Sequence, residues 1–78
     1  LDLSDSGSIQ KGFTQLLTLT SGRLDVLINN AGFGQVGALE DISRENLTKQ
    51  FETNVFGLHE LTCLTVPIMR KQGSGRII

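Results

Sequence analysis

The run Leu24-Asp25-Val26-Leu27-Ile28 constrains this chain more than any other stretch. Apart from Asp25 it is apolar at successive positions, so both faces of an extended chain carry hydrocarbon. That is the pattern of a parallel strand covered on both sides. Upstream, Ser4-Asp5-Ser6 offers side chains that can cap a helix, and Ile9, Phe13, Leu16 and Leu17 then fall on one helical face. Gly22 is placed to end that helix. Leu1-Asp2-Leu3 is expected to be the end of an earlier strand. Strand, helix and strand within about 30 residues make a right-handed crossover unit.

A second helix is expected from about residue 44 to about residue 72, roughly 40 Å long at 1.5 Å per residue. Ser43 can cap it and Glu45 lies in its first turn, while Arg70 and Lys71 lie at its far end; both placements suit the helix dipole. Gly73-Ser74-Gly75 ends it, and Arg76-Ile77-Ile78 opens a third strand. The order is βαβαβ, an α/β chain with a parallel sheet. Both ends read as cut, so the expectation is a piece of a longer domain.

Two stretches look functional. Gly32 to Gly37, GFGQVG, fits the dinucleotide fingerprint G-x-G-x-x-G, but Gly37 stands ahead of the better helix start at Ser43. The residue 20 positions after Gly32 is Glu52, inside a helix rather than at a strand end. The expected reading is therefore a glycine-containing loop and not a pyrophosphate site. Asn29-Asn30-Ala31-Gly32 is the stronger signal, because it sits where open α/β sheets place ligands, at the carboxyl end of a strand. Taken alone it could equally be turn chemistry.

On the long helix, Leu47, Phe51, Leu58, Leu61, Thr65 and Met69 form one stripe at 100° per residue, with Asn54 in its middle. An amide pointed inward needs a fixed polar partner, which could be water, backbone or another side chain. Gly57, one turn on, permits close packing there. Pro67 removes the backbone bond to the carbonyl of Cys63 and is expected to bend the helix.

The sequences LDLSD, GRLDVLINNAGFG, NVFGLHELT and GSGRII, in that order and spacing, resemble the short-chain dehydrogenase/reductase family in its single-domain branch, over essentially the whole chain. The resemblance implies a Rossmann-type doubly wound parallel sheet, of which residues 1–78 are a central βαβαβ segment of the NAD(P)-binding domain. It also implies hydride transfer between NAD(H) or NADP(H) and an alcohol or carbonyl carbon, with the choice between the two cofactors left open. Aldehydes, retinoids or steroid-like compounds are the implied substrates. Carried over by position, Asp2 would bond the adenine amino group and the backbone of Leu3 would contact the same ring. Asn30, Ala31 and Gly32 would line the adenosine-ribose side. Asn54 would be the Asn of an Asn-Ser-Tyr-Lys catalytic tetrad, holding a water in the proton relay.

The family's Gly-rich phosphate loop, its cofactor-choosing residue and the catalytic Ser, Tyr and Lys have no counterpart in these 78 residues. The chain by itself is therefore expected to be inactive. The alternative is a non-catalytic nucleotide-binding relative or a truncated interaction element.

Charge and composition narrow the partners. Seven Lys and Arg against eight Asp and Glu give a net charge of −1, spread along the chain, so no basic patch invites nucleic acid. No apolar run approaches a membrane span, and a cytoplasmic location is the default expectation. The single Cys excludes an internal disulfide. Phe56 and Cys63, flanked by Val66, give the long helix a second apolar face, for which a homodimer or homotetramer is the expected explanation. No metal is expected, since His59 is read as having no Cys, Asp or His at ligand spacing, and Cys63 as having no basic neighbour to activate it. Asn46-Leu47-Thr48 matches a glycosylation sequon but, placed on a helix, is not expected to carry a glycan.

Overall fold

A computed structural model describes all of residues 1–78. The chain folds as helix α1 (Ser6–Leu19), strand β1 (Val26–Leu27), a 3-10 turn (Leu39–Asp41), helix α2 (Arg44–Phe51), a π-helical segment (Glu52–Gly57), helix α3 (Leu58–Gln72) and strand β2 (Arg76–Ile77). The local signals behind α1 are visible in its bonds. Asp5 is the N-cap and accepts from the Ser8 N–H at 3.3 Å. Its far end closes through Gly22, whose N–H reaches the Leu17 carbonyl at 2.8 Å from a left-handed backbone, φ 79°.

The sheet has two strands, not three. β1 and β2 pair in parallel, Val26 opposite Arg76 and Leu27 opposite Ile77. Ladder bonds extend the pairing from the Asp25 carbonyl to the Asn29 N–H, which donates to the Ile78 carbonyl at 2.7 Å. Leu1-Asp2-Leu3 is no strand: the Asp2 N–H goes to Ser8 Oγ at 2.8 Å and its carbonyl accepts from Asp5, so its polar groups serve the entry into α1. The double cover expected for β1 is also missing within this chain, since Val26 and Ile28 are exposed.

From Arg44 to Gln72 the helical path is continuous, as the charge and cap pattern implied, with Ser43 accepting from the Asn46 N–H at 3.1 Å. It is not uniform. The π segment holds one more residue than an α-helix would, rotating the faces before and after it by about 100° relative to each other. The stripe through Leu47, Phe51, Leu61, Thr65 and Met69 is covered only along α3, since α2 buries none of its residues. Thr65 and Met69 are buried, while Leu47 and Phe51 lie open at 44% and 46%. α3 runs through Pro67 to Gln72 and ends on Gly73, in left-handed backbone at φ 76°.

The core lies where α1 packs on α3, with Ile9, Phe13 and Met69 as its buried apolar side chains. Leu16, expected on the same face of α1, is exposed. Ser6 Oγ and Gln10 Nε2 both donate to Glu60 Oε1, at 2.6 and 3.0 Å, clipping the two helices together above that core. The radius of gyration is 14.9 Å, against about 11.5 Å for a compact domain of this length. The long helix accounts for this, setting the 47 Å axis of the molecule.

Candidate functional site

The end of β1 is held from two sides. The ladder bond of Asn29 keeps the backbone in line with β2, and Asn29 Nδ2 donates to Thr62 Oγ1 on α3 at 3.4 Å. The strand therefore delivers Asn30 and Ala31 to a fixed place. There, with Leu3, Ile28 and the α3 side chains Leu58 and Leu61, they line a cleft of about 180 Å³. That is below the ~300 Å³ at which pockets for whole drug-sized ligands begin, so the cleft suits one ring or sugar of a larger molecule.

Gly57 makes the floor possible. A Cβ there would stand 2.0 Å from the Leu3 carbonyl oxygen, so only glycine lets the 1–3 segment lie against the helix. The sequence signalled close packing at Gly57; its partner, a main-chain atom 54 residues away, carried no signal.

Beside the cleft, Gly32 meets the π segment. A Cβ on Gly32 would stand 3.0 Å from Asn54 Oδ1, tighter than ordinary contact. The close approach lets the Asn54 carboxamide take up both main-chain groups of Phe33: Oδ1 accepts from its N–H at 3.1 Å, and Nδ2 donates to its carbonyl at 2.6 Å. Backbone is thus the polar partner of Asn54. Because N–H and C=O face opposite ends of the amide, the pair admits one orientation. One lone pair on Oδ1 and one hydrogen on Nδ2 stay free for a further contact.

Asp2 stands at the edge. Its Oδ1 accepts from the Ser4 N–H and the Ser4 hydroxyl, at 2.9 and 2.7 Å. The hydroxyl bond first and the backbone bond second hold the carboxyl below its ordinary value, so it is ionised and solvent-facing. The other oxygen remains an acceptor, the requirement for meeting an amino group. Of the residues singled out, Leu3, Asn30 and Ala31 share one cleft and Gly32 touches Asn54, while Asp2 does not line the cleft. Phe33 and Gln50 escaped sequence reasoning; Gln50 Nε2 lies 3.4 Å from the same Phe33 carbonyl. A carboxamide one turn before Asn54 was the available clue.

GFGQVG is irregular chain. Gly37 is a bend at φ 145°, and α2 begins only at Arg44, so no helix N-terminus opens at the third glycine.

One reading is corrected on the outer face of the helix. His59 and Cys63 are not isolated: one turn apart on α3, they bring Nε2 and Sγ to 3.4 Å. The i, i+4 relation puts them on one side of the helix. No third His, Cys, Asp or Glu joins them to make a metal-binding group. Nearby, Phe51 and Phe56 tilt against each other with centroids 6.4 Å apart. With Arg44, Leu47 and Thr48 they form an open groove of about 260 Å³. No helix of the chain is long and apolar enough to cross a membrane.

The family model described as short chain dehydrogenase matches residues 1–78. The 3-ketodihydrosphingosine reductase of Bacteroides thetaiotaomicron is 41% identical over 78 residues, covering 100% of this chain and 29% of the relative. The crystal structure of a short-chain dehydrogenase from Streptomyces avermitilis matches with a TM-score of 0.91 at 43% identity, over 99% of this chain and 28% of that one. A metagenomic short-chain oxidoreductase solved in complex with NADP matches with a TM-score of 0.89 at 32% identity, over 97% of this chain and 34% of that one.

Proposed function

This chain belongs to the short chain dehydrogenase family, its parallel α/β unit a segment of the Rossmann-type fold, and from that premise we propose that it forms the central part of an NAD(P)(H)-dependent oxidoreductase domain. The activity interconverts an alcohol and a carbonyl group on an aldehyde, retinoid or steroid-like substrate. The observation that carries this reading is Asn54, which sits in a π segment, a helical irregularity frequent at functional sites, beside the strand end where α/β folds bind ligands.

The residues present fit the adenosine side of such a cofactor. Leu3, Asn30 and Ala31 offer an apolar-walled cleft of ring size, Asp2 has an unused acceptor oxygen, and Gly32 keeps side-chain bulk away from the approach. When bound, the nicotinamide would supply the hydride chemistry. Asn54, through its remaining hydrogen and lone pair, would hold a water at the edge of the site. The NADP complex of the metagenomic relative and the ketone named for the Bacteroides reductase support the cofactor and substrate classes. NAD against NADP is left to titration.

In the same reading, the exposed Phe51, Phe56 and Cys63 side of the helix is a subunit contact in a homodimer or homotetramer. A monomer by light scattering of the intact protein would remove that part alone. The 78 residues by themselves should show no turnover, because the family's catalytic Ser, Tyr and Lys have no counterpart among them.

The deciding experiment is oxidation of NADPH and NADH by the intact protein with aldehydes and ketones, beside nucleotide binding followed by fluorescence. Turnover supports the enzyme. Binding without turnover on any carbonyl would instead favour a nucleotide-binding relative without catalysis. One observation lends that second reading substance: both polar ends of Asn54 already have main-chain partners, so its amide has a structural role as well.

A further inference from the structure

Gln50 behaves unlike its neighbours. On α2 the apolar Leu47 and Phe51 are exposed, while this amide is half-buried. Turning a carboxamide inward is unfavourable unless it finds a partner. Its Nε2 points at the Phe33 carbonyl, 3.4 Å away, the same oxygen that accepts from Asn54 Nδ2 at 2.6 Å. A carbonyl has two lone pairs and can take both donors. The Gln50 contact is the longer one, and a shift of about 0.5 Å would bring it to the usual N–H···O distance.

We propose that Gln50 is a positioning residue for Asn54: it grips the Phe33 carbonyl from one turn earlier, so that the loop keeps its place when the Asn54 carboxamide engages water or ligand. Without Gln50, a shift of Asn54 Nδ2 toward water or ligand would leave the Phe33 carbonyl bonded to solvent alone, which satisfies the oxygen but does not hold the loop in place. With Gln50, the carbonyl trades one donor for the other. This rests on the reading of Asn54 given above.

The test uses the intact protein with Gln50→Met, which keeps length without a donor, and Gln50→Glu, which accepts when ionised and can donate only when protonated. Hydrogen exchange of the peptide containing Phe33 is read alongside kcat, cofactor KM and the thermal midpoint. Both variants should speed exchange at Phe33 and lower kcat roughly 3- to 10-fold, the effect of one ordinary hydrogen bond, with cofactor KM and midpoint unchanged. In Gln50→Glu the relative loss should shrink as pH falls and the carboxyl takes up a proton. Unchanged exchange at Phe33 overturns the proposal, whatever the activity. So does faster exchange across the whole helix with a falling midpoint, which would mean general loosening. If the unsubstituted protein turns over no carbonyl compound, the oxidoreductase reading falls, and faster exchange confined to Phe33 would still support the Gln50 grip.

Discussion

The long helix grips β1 and the chain around it twice by the same chemistry, in two different settings. Near its C-terminus, the Gln72 carboxamide pairs with the main chain of Leu24: Oε1 accepts from the N–H at 2.8 Å and Nε2 donates to the carbonyl at 2.9 Å. In the π segment, the Asn54 carboxamide does the same to Phe33. The first pair is partly buried, and Gln72 Nε2 also reaches the Ser74 carbonyl at 3.2 Å, tying the turn into β2. The second is open to solvent, on a loop with no ladder bonds. The difference teaches how one residue class serves two ends. Where water is partly excluded, an amide pair fixes the entry to a strand. Where water can reach, it fixes a loop and keeps bonding capacity in hand for a ligand.

Substitutions should separate the two grips, and the largest effect is expected at Asn54. Asn54→Ala in the intact protein should lower kcat by about 100-fold, the low end of what positioned proton-relay groups contribute, with little change in denaturation midpoint, since water can replace its bonds to Phe33. Equal losses of stability and activity would erase the contrast. Gln72→Leu should behave oppositely. It leaves the N–H and carbonyl of Leu24 without partners in a half-buried place, so a loss of about 2–3 kcal/mol in urea unfolding is expected, with kcat per folded molecule retained.

Gly57→Ala probes the packing beside the Asn54 grip. Its Cβ meets the backbone of Leu3, which cannot rotate away, and overpacking of this kind costs about 1–3 kcal/mol. Cofactor KM should rise with it, because Leu3 lines the cleft.

The smallest effect is expected at Glu60. Bonds from Ser6 first and Gln10 second hold its carboxyl below the ordinary value. A depressed folded pKa contributes stability that is present above the unfolded pKa and lost as pH falls through the folded one. The denaturation midpoint of Glu60→Gln should therefore lie slightly below that of the unsubstituted protein near neutrality and converge with it in acid. Parallel curves would show that the α1–α3 clip does not titrate.

Much of this was legible in the residues. Asp5 and Ser43 as caps, Gly22 and Gly73 as ends, and the charges on the long helix placed α1 and the 44–72 helix closely, because capping is a local matter of a few adjacent atoms. Asn30 to Gly32 and Asn54 stood out because amides at a strand end and on an apolar stripe need partners. What did not show was anything depending on helical pitch or on backbone far along the chain. The π segment interrupts the helix, Leu47 and Phe51 lie exposed on α2, which buries none of its residues, and Asp2 bonds to Ser8 of α1 in place of a strand. His59 and Cys63, read as unrelated, meet because they stand one turn apart.

By itself, then, the sequence determined the class, the order of elements from α1 onward and the family, since periodicity, caps and motif spacing are written in neighbouring residues. Only the tertiary structure decided what those motifs touch. That Asn54 holds Phe33, that Gly57 yields to Leu3 and that Gln72 secures Leu24 are contacts across 21, 54 and 48 positions. Main-chain N–H and C=O groups are the same at every residue, so no side-chain pattern announces which of them a distant amide will find.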